Sequence, residues 1–252
     1  MLEHFKGEEV FVKKVLDYLD QVQYKQRLIL TQFLDPYHQS IVKSVIGHQD
    51  EVQVLENGGF IHSESQRIII APYFYEIEKE DFEIVVCKII YAKNFEKLTH
   101  RDILGALMSI GIKRELFGDI VEKDKDFYLA VDRHIYEYLK DHLSMIKRSK
   151  VKFVEWDEEI EVKNDYLVKS FIVSSFRLDK IISSFYKISR QKAAEFIRAG
   201  HVKVNHKPVE QINYLCNNKD IISFKKHGRV MFVDCNKQTR SDNYVVEGHF
   251  YK

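Results

Sequence analysis

The chain has 252 residues, 45% of them hydrophobic and 31% charged, and its 39 basic and 38 acidic side chains leave a net charge of +1. That length allows two or three small domains, each with its own core. No run approaches the ~18 apolar residues of a membrane-crossing helix; neither a secretory leader nor a C-terminal lipidation or retention signal is expected.

Residues 8–24 place Phe11, Val15, Leu19 and Val22 at i, i+4, i+8 and i+11, one face of an amphipathic helix, and Glu8 and Glu9 suit its positive end. Pro36 punctuates the chain ahead of a second helix over 37–46. VQVLENGGF and QRIIIAPYF then read as two strands separated by a turn at Asn57-Gly58-Gly59, where φ > 0 is tolerated. Pro72 closes this unit, which gives a first domain over residues 1–78.

Residues 82–156 read as strand, helix, strand, strand, helix, strand. FEIVVCKIIYA is a β-branched run. Thr99 is a candidate N-cap for RDILGALMSIG, and Gly111 closes that helix. FGDIVEK and DFYLAVD form a strand pair, HIYEYLKDHLSMI a helix and VKFVEW a last strand. This βαββαβ order is the ferredoxin-like split βαβ, placed at residues 79–160. Some domains of this fold bind RNA through sheet aromatics. Phe127 and Tyr128 sit on a predicted strand, but the Gly-aromatic RNA-contact signature is absent, so an aromatic core and rim is the favoured reading. The overall class is α+β.

WDEEIEVKNDYLVKS reads as a charged connection to a last domain over 170–252. There the charge separates: Arg177 to Val230 holds twelve Lys and Arg against four Asp and Glu, a local +8, while residues 1–176 carry −7. A compact basic face attracts polyanions, of which nucleic acid is the commonest.

Within the basic segment, Leu178, Ile181, Ile182 and Phe185 mark a short helix from Arg177 to Tyr186. Ser189 is an N-cap candidate for RQKAAEFIRAG, with Gly200 just past its end. Ala193, Ala194, Phe196 and Ile197 take one side of that helix; Gln191, Lys192, Glu195 and Arg198 take the other. Val202 and Val204 alternate with Lys203 and Asn205, which points the latter pair outward. A turn over Asn205–Pro208 and a strand IISFKK complete two helices on a small sheet.

RLDK, SRxxAxxxIxxGxVxVN, a turn and DxIxF together resemble the RNA-binding domain named after ribosomal protein S-four. Carried onto matching positions, the resemblance implies RNA contacts at Arg177, Lys180, Ser189, Arg190, Lys192, Arg198, Lys203 and Asn205. Each has a structural alternative: Arg177 pairing with Asp179 or Glu195, Ser189 acting as a cap, Asn205 stabilising its turn. Asp179 reads as a partner that orients nearby cations. Lys225, Lys226 and Arg229 read as solvated residues of a strand end.

The whole chain also resembles the YlmH family, through DILGALMSIGIKRELFGDI at 102–120 and NGGF with SESQRIIIAP at 57–72; Ser65-Gln66 departs from a more charged form. That resemblance implies a bacterial, Gram-positive, cytoplasmic and ribosome-associated RNA-binding protein. Its expected partners are large-subunit rRNA, peptidyl-tRNA and ribosome quality-control factors of the alanine-tailing pathway. The family is further associated with cell-division genes. No membrane, small-molecule substrate or cofactor is expected.

Enzymatic readings find little support. His100-Arg101-Asp102 is only superficially similar to a pseudouridine-synthase motif, GALMSIG lies within a helix rather than a methyl-donor loop, and no nucleotide-binding loop or synthetase signature is present. Cys87, Cys216 and Cys235 are too widely spaced for a zinc pattern or a disulfide framework and are read as reduced thiols. His134 and His142, or His201 and His206, make no plausible metal site. The competing reading is an adaptor whose acidic N-terminal part binds a protein. On the RNA-binding reading, charge reversal at Arg177 and Arg190 is expected to abolish ribosome association and leave the fold intact.

Overall fold

In the computed structural model, which describes residue 5, residues 7–162 and residues 165–251, helix α1 (Glu9–Lys25) buries Val12, Val15, Leu19 and Val22. Phe11, expected on that stripe, is only partly buried beside it. Strand β1 (Ile29–Leu30) follows, then α2 (Pro36–Ile46), which begins with proline at its first turn and is capped by Asp35 through the His38 N–H at 2.9 Å. β2 (Val52–Asn57) and β3 (Arg67–Pro72) complete an antiparallel sheet of order β1-β3-β2. β3 is buried along its whole length because Ile68 and Ile70 meet the helices while Ile69 and Ala71 meet Phe82 on the other side.

The connection over residues 58–66 is a docked loop and not the tight turn that Asn57-Gly58-Gly59 suggested. Gly59 has φ +87°, and a Cβ there would lie 3.0–3.2 Å from the side chains of Val86, Ile84 and Ala130. Both the backbone and the space demand glycine.

The next elements are β4 (Ile84–Tyr91), α3 (His100–Ser109), β5 (Phe117–Lys123), β6 (Asp126–Asp132), α4 (Arg133–His142), β7 (Met145–Ile146) and β8 (Ser149–Glu155). They form an antiparallel sheet of order β5-β6-β4-β8-β7, the ferredoxin-like arrangement that the element order implied. α4 stops at His142, four residues before the expected end, because Leu143 and Ile146 turn into the core and Met145–Ile146 pairs with β8. Thr99 caps α3 in a reciprocal box with Asp102.

One face of this sheet packs on α3 and α4 through Cys87, Ile89, Leu107, Leu129, Leu139 and Phe153. The opposite face is half covered by Phe33, Phe60 and Ile160, which lie over Tyr128 and Ala130 with Trp156 at the rim. Gly118 makes this possible: a Cβ there would stand 2.7 Å from the Phe33 ring. The two segments singled out at 57–72 and 102–120 meet here. Asp119 accepts the Glu64 N–H at 2.6 Å and the Ser65 N–H at 3.2 Å, and burial raises its pKa.

These parts form one compact unit, Met1–Val162, and the rest a second, Lys163–Lys252. The expected boundary near residue 78 falls inside the first unit. Of the expected connection, Ile160 belongs to the first core, and residues 163 and 164 lie outside the described residues.

The second unit starts with β9 (Tyr166–Val173), read from sequence as part of the connection. It continues with α5 (Leu178–Tyr186), α6 (Arg190–Arg198), β10 (Val202–Val204), β11 (Lys207–Pro208), β12 (Ile221–Phe224), β13 (Gly228–Gln238) and β14 (Tyr244–Tyr251). The sheet order is β11-β10-β12-β13-β14-β9, antiparallel throughout. The sheet is larger than expected, because the presumed tail contributes most of its two long strands. α5 and α6 close the core through Leu178, Ile181, Ile182, Phe185, Ala193 and Ile197.

Candidate nucleic-acid interface

The start of α5 is stitched to the loop before β12: Leu178 N–H donates to the Tyr214 carbonyl at 2.8 Å, and Cys216 N–H to that of Phe176 at 2.9 Å. This fixes Asp179 in the first turn with its side chain only 3% exposed. Arg177 donates to Asp179 through Nε at 3.0 Å and Nη2 at 3.3 Å, and Arg190, at the start of α6, through Nε at 2.6 Å. Burial pushes the Asp179 pKa up, but the hydrogen bonds from Arg177 and Arg190 outweigh it and hold the carboxyl below its ordinary value.

The two arginine side chains remain 32% and 54% exposed. Arg190 commits one of its five N–H donors among the described residues, so the rest of the fork is presented to solvent in a fixed orientation. Asp179 thus aims two arginines, the orienting role expected of it. Lys180 donates to Ser174 Oγ at 2.9 Å and lines, with Arg190, Ser183 and Ser184, a shallow open concavity. Ser183 and Ser184 were not singled out from sequence; serines mid-helix carry no signal until the concavity is seen.

Ser189 caps α6, its Oγ accepting the Lys192 N–H at 3.2 Å. Lys192 and Arg198 are exposed on α6, and Lys203 is exposed on β10, all three without an ion pair among the described residues. Arg198 stands about 12 Å along the helix from Arg190, so the fold groups Arg177, Lys180, Ser189 and Arg190 and leaves Arg198 outside that cluster. Asn205 adopts φ 48° and spends both ends of its amide internally, Nδ2 on Asp220 at 2.8 Å and Oδ1 on the Ile221 N–H at 2.9 Å. Lys225 and Lys226 are exposed in the turn that directly follows β12, as expected of a solvated strand end, whereas Arg229 lies within β13 with its guanidinium over the Tyr251 ring.

The buried carboxylate also changes what charge reversal at Arg177 and Arg190 would do. Two new carboxylates beside Asp179 would break the clamp, so the fold cannot be expected to survive that double change.

Elsewhere, Phe127 is core and Tyr128 is 5% exposed beneath Trp156, which removes both from any open aromatic platform. Asp102 is committed to capping α3. Among the described residues no group of three His, Cys, Asp or Glu could hold a metal ion. Among the described residues no helix is long and apolar enough to cross a membrane.

Three family models match the chain: "YlmH, N-terminal" over residues 7–74, "Putative RNA-binding domain in YlmH" over 78–159, and "S4 domain" over 176–222. The chain is similar to "Ribosome-associated protein quality control protein P2" of Bacillus subtilis (strain 168), with 33% identity over 253 positions that cover 97% of this chain and 96% of that one. Among solved structures it resembles "Cell division protein ylmH from Streptococcus pneumoniae", with a TM-score of 0.52 and 28% identity across 60% of this chain and 92% of that chain.

Proposed function

Because the chain belongs to the YlmH family, we propose that it is a non-enzymatic RNA-binding protein that docks on the large ribosomal subunit and serves quality control of stalled complexes carrying peptidyl-tRNA. The observation that carries this reading is the Arg177–Asp179–Arg190 clamp. It presents two oriented forks beside a helix N-terminus, within a segment of net charge +8. Forked donors and free N–H groups at a helix start suit phosphate oxygens. Arg177, Lys180 and Arg190 make the central grip, with Ser189 beside it. Lys192, Arg198 and Lys203 widen the grip electrostatically. Asn205 holds the hairpin that carries Lys203. The relative's name, which places it in ribosome-associated quality control, supplies the cellular setting.

The test uses residues outside the clamp, whose loss leaves the fold untouched. Changing Lys192, Arg198 and Lys203 to glutamine is expected to lower the slope of log K against log[salt] by about 2–3 for large ribosomal subunits, and to weaken binding by roughly 10- to 100-fold at 0.15 M salt. An unchanged slope with an unchanged melting curve would remove this surface from the reading.

A second reading, an adaptor that captures a protein, draws on one observation. Tyr73, Phe74 and Tyr75 form an exposed aromatic run, with Glu76 and Glu78 following in sequence. Capture of one defined protein by residues 1–162 in nuclease-treated extract would favour it.

A further inference from the structure

The first unit belongs to a net-acidic part of the chain, yet one end of its ferredoxin-like sheet is basic. On the face opposite α3 and α4, strand register sets Lys123 beside Asp126, and Ile90 beside Lys152. The next row runs Tyr128, Lys88, Val154. Phe33, Phe60 and Ile160 cover the other end of this face, so the usual aromatic platform of such a sheet is closed. The open end keeps Ile90 and Val154 in solvent. Lys123, Lys125, Lys150 and Lys152 are exposed there without an ion pair among the described residues. Asp126 is already neutralised by Lys88 at 2.9 Å and by Lys93. Two residues beyond Lys93, Phe95 is 91% exposed.

We infer that this open end is a second RNA-contact surface, which takes the phosphate backbone of an unpaired RNA segment on its lysines and one unstacked base on Phe95. Four lysines without an ion pair among the described residues supply the charge complementarity, and the exposed Phe95 ring, two residues past the Lys93 that pairs with Asp126, supplies a stacking surface. The half-closed face limits the contact to a short stretch at the sheet's end. This inference rests on the RNA-binding reading above and adds to it a second anchor, on the unit whose matching family model names RNA binding without assigning a surface.

The experiment is photo-crosslinking of the full chain to large ribosomal subunits whose RNA carries 4-thiouridine, with the crosslinked peptides identified by mass spectrometry. Crosslinks are expected in 93–97, 123–125 or 150–154 as well as in 177–207. Crosslinks confined to 177–207 would overturn the second surface and leave the proposed function standing. Crosslinks in neither region would overturn both. In parallel, the combined Lys123→Gln, Lys125→Gln and Lys152→Gln variant is expected to lower the salt slope by about 2 and to weaken subunit binding by roughly 5- to 50-fold, with its melting curve unchanged. An unchanged slope would count against the surface.

Discussion

Removal of both clamp arginines, in an Arg177→Ala/Arg190→Ala variant, is expected to destabilise the second unit by about 3–5 kcal/mol, because it strands a buried carboxylate. Removing Asp179 instead is expected to cost less, about 1–3 kcal/mol, since both arginines already reach solvent. Adding Asp179→Asn to the double variant should restore much of the lost stability and none of the RNA affinity, which separates the clamp's holding role from its contact role. The pH dependence carries a definite sign. In the native protein the Asp179 pKa is depressed, so its stabilisation is complete above the unfolded-state value and is lost as pH falls through the native one. In the double variant, burial without partners raises that pKa, so the destabilisation is largest at neutral pH and shrinks on acidification. Denaturant titrations of the native chain and the double variant at neutral and acid pH would check both claims. A double variant as stable as the native chain would mean that Asp179 is not held by these arginines.

Arg67→Ala is expected to lower the melting temperature of the first unit by about 10 °C, from a loss of about 3–5 kcal/mol. Arg67 leaves β3 and is almost fully buried. It donates through Nε to the Thr31 carbonyl at 2.9 Å and through Nη1 to the Glu83 carbonyl at 3.1 Å, and it pairs with Asp132 at 3.0 Å. Asp132 also caps α4 through the His134 N–H at 2.8 Å. One side chain therefore ties the first sheet to the second and to the helix that follows it. Asp132→Asn keeps the cap and removes the charge, so it should restore part of the loss when combined with Arg67→Ala. Calorimetry of the full chain would read this as a downward shift of the first unit's transition with the second unit's transition unmoved. A first-unit transition that does not move would deny that the pair carries stability.

The legible parts of the chain share a short range. Thr99 before RDIL, Ser189 before RQKAAEFI and Pro36 opening a helix are capping signals that act within one turn, and the structure places each where the sequence did. The βαββαβ order was legible because its strands carry apolar runs and its helices carry stripes. β9 was not. It is an edge strand whose apolar Leu167, Val168 and Ile172 lie in solvent, and its first residues continue the charged stretch before it, so only its eight-residue register with β14 makes it a strand. The closing of β2 to β3 through a docked loop was hidden for a related reason: the glycines report local freedom, while the demand for Gly59 comes from Val86, Ile84 and Ala130.

The sequence by itself determined most of the helices, the strand order of the ferredoxin-like unit and the basic segment, because charge, periodicity and capping are local properties of the chain; the candidate contacts within that segment came from its resemblance to the S-four domain. Tertiary structure alone decided that Asp179 is buried between Arg177 and Arg190, that Asn205 spends its amide on Asp220 and Ile221, and that the ferredoxin-like sheet is closed at one end and open at the other. Those outcomes depend on burial and on partners distant in sequence, and burial sets both the cost of an unpaired charge and which side chains remain free to meet RNA.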